Sequence, residues 1–140
     1  MRTSGLHTDQ APPLAVPMAF LIASPIALMA AGGWLVVHPV ALTFSPWHPM
    51  TIALVHLGTL GFLGLTMLGA LYQMLPVVAG APVRALHLAR MVLAAVAAGM
   101  VALVVALSGF QRGAALAAMI GLGGGLLLFL GPLLLALVKA

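Results

Sequence analysis

Four runs of apolar residues, about 14–37, 50–75, 88–107 and 114–138, dominate this chain. Each reaches or exceeds the about 20 residues that an α-helix needs to cross about 30 Å of hydrocarbon. Inside lipid, every backbone polar group must find its partner within the protein, so runs of this length are predicted as spanning helices rather than loops. The breaks between them carry the residues that interrupt helices. Residues 38–49 open on His38-Pro39 and close on Pro49, 76–84 run from Pro76 to Arg84, and 108–113 hold Ser108, Gly109 and Gly113. The expected fold is all-α: a polytopic membrane protein with a polar tail at 1–13 and one four-helix transmembrane domain at 14–140. No second domain and no internal repeat is expected. The first run lacks an A-x-A cleavage pattern and reads as a retained helix.

Composition narrows the chemistry. The 140 residues are 64% hydrophobic and 4% charged, with a mean hydropathy of +1.29, outside the range of water-soluble domains. Asp9, in the tail, is the single acidic residue. The spans therefore hold no carboxylate to relay protons or to bind a hard cation. The absence of cysteine removes disulfides, thiolate metal sites, iron–sulfur clusters and covalent heme attachment. Metal chemistry would have to use His, Met or a small oxygen donor. The net charge of +4 comes from five dispersed basic residues, which suits topology and the bilayer surface rather than nucleic acid. Arg2, Arg84, Arg90 and Lys139 fall on one side of the four spans and Arg112 alone on the other. The positive-inside rule then predicts an inner (cytoplasmic) membrane protein with both termini in the cytoplasm.

His56 stands out within this frame. It is an ionisable, metal-ligating side chain about 10 Å below the start of the second span, at 1.5 Å per residue, where a polar group costs several kcal/mol unless it is partnered. On a wheel of 100° per residue, Leu63, Met67 and Ala70 fall near the His56 face, with Thr59 and Thr66 on its flank. Gly58, Gly61, Gly69 and Tyr72 fall opposite, where small residues let a neighbouring helix approach. A heme axial ligand or a copper ligand is the functional reading of His56. A structural His bonded to a backbone carbonyl or a Thr hydroxyl on a neighbouring helix is the competing one.

The remaining candidates lie at one end of the spans. His38 and His48 each precede a proline, in the setting of interfacial turn residues, yet either is a possible second metal ligand. His48 and His56 are eight residues apart, about 12 Å along a helix, so one continuous helix cannot bring both to one metal. Trp47 and Arg112 are predicted on the same outer side, where an indole N–H and a guanidinium would suit heme propionates; singly, each reads as an ordinary interfacial residue. His7 and His87 lie on the other side and are assigned no role. The methionines show no M-x-x-M repeat, although Met50 beside His48 leaves an outer copper site open. Gly121, Gly123, Gly124 and Gly125 follow no strand and precede no G-K-[ST], so they read as a close helix contact or a flexible point. Gly131-Pro132 is expected to kink the last span. The chain offers no nucleophile–base–acid set.

The block from His56 to Pro76, HLGTLGFLGLTMLGALYQMLP, resembles the heme-ligand helix of the cbb-type oxidases and nitric oxide reductases in the heme-copper oxidase superfamily. That helix runs approximately H-x-H-S-G-A-L-G-W, followed by G-x-L-Y and a proline. His56 matches the second His, Gly61-Phe62 the G-W pair, Gly69, Leu71 and Tyr72 the G-x-L-Y part, and Pro76 the proline. The resemblance covers about a fifth of the chain. It implies that His56 binds a low-spin heme b, whereas the position of the high-spin heme ligand is Leu54 and the copper-ligand histidines are absent. The implied protein is a heme b carrier or gas sensor without an oxygen-reducing centre, passing electrons to a redox partner that the sequence does not identify. Because the family's large subunit is similar to three four-helix arcs about a pseudo-threefold axis, one arc implies self-assembly, as a homotrimer or alternatively a homodimer. The site set is His56, His48, His38, Trp47, Arg112, Thr59 and Leu63. The alternatives are a copper-handling membrane protein that uses His38, His48, Met50 and His56, and a cofactor-free structural or assembly subunit.

Overall fold

The computed structural model describes residues 8–43, 45–79, 86–109 and 111–138. Among them every regular element is helical. A short 3₁₀ turn at Thr8–Gln10 precedes α1 (Ala15–Val37), and a second at Pro39–Leu42 follows it. The second span is one rod in three parts: α2 (Pro49–His56), a π-helical segment (Leu57–Gly64) and α3 (Leu65–Ala79). Then come α4 (Leu86–Gly109) and α5 (Arg112–Val138). Four stretches are long and apolar enough to cross a bilayer: Ala15–Val37, Pro49–Val78, His87–Gly109 and Arg112–Leu135. The protein is an all-α, four-helix, multi-pass membrane protein.

The spans lie where the apolar runs predict them, and their ends show what sequence punctuation misjudges. The expected stop at residue 75 fails because the second span continues through Pro76 to Ala79. Pro76 is among the most deeply buried side chains. Proline removes one helical hydrogen bond, but in an apolar setting leaving the helix would free many backbone groups, so the helix carries on. The same holds at Pro25 within α1 and at Pro132 within α5. At the start of α2, proline assists. Pro49 occupies the first helical turn, where an N–H is dispensable, and the His48 ring nitrogen Nδ1 accepts from the Met50 N–H at 3.3 Å as the N-cap.

Small residues set which helices meet. α1 packs along the π segment and α3, α4 packs extensively on α5, and α2 closes the bundle against α4. Gly61 and Gly69 face α1 so tightly that a Cβ would come within 2.8 Å of Ala27 Cβ and 2.9 Å of Phe20 Cβ. The α4–α5 crossing is closer still. A Cβ on Gly99 would lie 2.6 Å from the Leu122 backbone nitrogen, and one on Gly121 would lie 2.7 Å from Gly99 Cα. Of the glycines expected to form a contact or a flexible point in α5, Gly121 and Gly125 are contacts, whereas a Cβ on Gly123 or Gly124 meets nothing within 4 Å. Backbone approach of this kind supplies the dispersion contacts that hold helices together where lipid removes the hydrophobic drive.

The core has two parts, one in each half of the bundle. Phe20, Leu65, Leu68, Tyr72, Ala89, Val92, Val96 and Phe129 form the larger. Within it the Tyr72 ring lies 5.3 Å from Phe20 and 5.1 Å, edge-on, from Phe129, separations at which aromatic pairs attract. Ala31, Leu57 and Met100 form the smaller, with Trp34, Leu54 and Val104 packed against it. The second part lies in the half that holds His56, and it fills the interior there with hydrocarbon.

Candidate functional site

His56 is the last α-helical residue before the π segment. Its ring is half-buried, and Nδ1 lies 2.8 Å from the Ile52 carbonyl oxygen one turn back. A carbonyl can only accept, so this contact assigns the proton to Nδ1 and leaves the Nε2 lone pair free of it. In that tautomer Nε2 keeps its lone pair available as an acceptor. The bond is made within its own helix, not to a carbonyl or hydroxyl on a neighbouring helix.

The π segment starts immediately after His56. A hydrogen-bond ring one residue wider than in an α-helix widens the helix locally, and such turns occur frequently at functional sites. The segment Leu57–Gly64 contains Gly58, Gly61 and Gly64, residues that tolerate irregular backbone. Gly58, expected to share the tight face of Gly61, instead has open space where a Cβ would stand. A wheel of fixed 100° steps does not hold through the π turns.

The residues predicted beside His56 line the outside of the bundle. Thr59 is exposed, and Leu63 and Met67 are 51% and 63% exposed. Leu60, Leu71 and Met74 extend this seam along the second span. Thr59 Oγ1 donates to the Val55 carbonyl and Thr66 Oγ1 to the Phe62 carbonyl, each at 2.8 Å, so their hydroxyl protons are spent on the helix itself. The His56 side of the second span is therefore open. Leu54, where the resembling family has its other His, packs inward against the smaller core cluster.

The other candidates gather at the same end of the bundle without closing on His56. His38 caps the C-terminus of α1, donates its backbone N–H to the Trp34 carbonyl at 2.8 Å, and sets its ring 4.4 Å from the Trp34 ring at a tilt of 53°. His48 is engaged as the N-cap of α2. Trp47 is 85% exposed. Arg112 is the exposed first residue of α5. Among the described residues no group of three or more His, Cys, Asp or Glu side chains is arranged to hold a metal ion. His7, assigned no role, lies outside the described residues.

Two polar groups in the spans escaped the sequence reading. Trp34 Nε1 and Gln73 Oε1 are buried and make no hydrogen bond. The signal for Gln73 was present, since an amide is rare in a spanning helix. The Trp34 N–H has no such signal, because an indole at a span end reads as an interfacial aromatic. Its burial against Leu57 and Met100 emerges only from the packing.

No family model, curated protein or solved structure matches this chain.

Proposed function

We propose that this protein is a b-type heme protein of the heme-copper oxidase lineage, which binds heme through His56 for electron transfer or gas sensing and has no oxygen-reducing centre. The observation that carries the reading is the His56 ring: it stands in a spanning helix, Nδ1 bonds the Ile52 carbonyl at 2.8 Å, and Nε2 is left available to a ligand. A tightly packed core of Leu57, Met100 and Ala31 fills the interior at this depth, which leaves the open His56 side as the place where a heme would sit. When bound, heme supplies a one-electron iron couple, tuned by its axial ligands and by burial. His56 would hold the iron through a ring nitrogen, Thr59 and Leu63 would flank it, and Trp47 and Arg112 would supply donors for the propionates at the matching end of the bundle.

An open ligand face calls for a second protomer. One chain offers no other deep imidazole in the spans, so six-coordinate iron would take its second ligand from His38 or His48 of a neighbouring copy, from a second His56, or from a Met. We favour the homotrimer that three arcs of the lineage imply, with the homodimer as the competing assembly. We place the chain in the inner (cytoplasmic) membrane with both termini cytoplasmic, a reading supported by the distribution of basic residues. The absorption spectrum of the detergent-purified protein tests the reading, together with metal analysis. A Soret band with sharp reduced bands supports heme, copper in the metal analysis supports the copper-handling alternative, and neither supports a structural role for His56.

A further inference from the structure

At the end of the bundle opposite His56, the first turns of α1 and α4 leave a groove lined by Ala15, Ala19 and Phe20 on one side and Ala89, Arg90 and Leu93 on the other. The small alanines keep the two helices from filling the space between them. Arg90 lies about one turn inside α4, within the stretch long and apolar enough to span the bilayer. A guanidinium at that depth reaches for the interface with its head while its stem lies along apolar surface. Asp9 is the single acidic residue in the sequence, it accepts a hydrogen bond from Gln10 Nε2 at 2.8 Å, and among the described residues Arg90 makes no ion pair. His87, three residues earlier on the same side of the helix, is exposed and adds a second donor. The groove is hydrocarbon-walled, opens to the bilayer and has an unpaired cation at its polar end.

We propose that this groove is a binding site for an anionic phospholipid, with one acyl chain between α1 and α4 and the headgroup phosphate on Arg90. The charge complementarity decides the occupant: an apolar helix brings no charge and a zwitterionic lipid offsets its phosphate with its own ammonium, whereas a phospholipid of net charge −1 compensates the guanidinium. The site is independent of any cofactor at His56.

Native mass spectrometry of the full chain, released from vesicles of equal phosphatidylglycerol and phosphatidylcholine, tests the proposal. The wild type is expected to retain phosphatidylglycerol preferentially, and Arg90→Gln to lower that preference by about fivefold, the effect of one basic residue at an anionic bilayer surface. Ala19→Leu, which fills the groove and keeps the cation, is expected to reduce retention as well. Equal retention of the two lipids by the wild type, or an undiminished preference in Arg90→Gln, would overturn the proposal. An undiminished preference in Ala19→Leu would overturn the groove and leave only surface charge.

Discussion

At the scale of single residues, the arrangement depends on what each polar group in the spans is bonded to. The Nδ1 contact orients His56 without help from any neighbouring helix, so the ring is preorganised before anything binds it. His56→Ala is therefore expected to abolish heme binding while leaving membrane insertion intact, since the span stays apolar and Ala is a strong helix former. Pigment content against protein yield in the membrane fraction checks both halves of that expectation. The buried Trp34 N–H makes a different case. With no acceptor, it contributes desolvation cost and no bond, so Trp34→Phe is expected to change stability by less than about 1 kcal/mol, the saved cost offsetting the lost contact area. Trp34→Ala, which opens a cavity against Leu57 and Met100, is expected to cost about 3 kcal/mol. Thermal unfolding in detergent separates the two substitutions.

At the scale of elements, the glycine contacts give sharper expectations than the apolar bulk. Gly99→Ala pushes a methyl group into the α5 backbone at 2.6 Å, and a rigid backbone cannot yield as a side chain can. A loss of about 1–3 kcal/mol is expected. Gly123→Ala, in open space on the same helix pair, is expected to be neutral or to stabilise by up to about 1 kcal/mol through helix propensity. Both are read from unfolding of the purified protein. The four spans were legible in the sequence because length and apolarity alone define them, and the face of Gly61, Gly69 and Tyr72 was legible because most of the second span keeps the helical period. What failed has a physical cause in each case. Pro76 was misjudged as a boundary because proline's helix-breaking rule assumes water to receive the freed carbonyl. The π segment was invisible because no residue type announces a wider hydrogen-bond ring; Gly58, Gly61 and Gly64 only permit it. Within the candidate site, the depth of His56 was legible, but the bond to Ile52 and the outward aspect of Thr59 and Leu63 required coordinates.

At the scale of the whole molecule, the chain has the open His56 side toward one end and the Arg90 groove toward the other. Reporter fusions at Ala140 and within 38–49 are expected to report opposite sides of the membrane, with Ala140 cytoplasmic. A periplasmic Ala140 would reverse the proposed orientation. Stoichiometry separates the assemblies: about one heme per chain is expected for a trimer whose protomers each borrow a different donor, against about one per two chains for a dimer that shares two His56 rings. The most direct test of heme ligation by His56 is the reduced-minus-oxidised spectrum of the wild type and His56→Ala, expressed side by side with ample heme. A Soret band with sharp α and β bands in the wild type, lost in His56→Ala, is the expected result; a wild type without heme, or an unaltered spectrum in the variant, would contradict it.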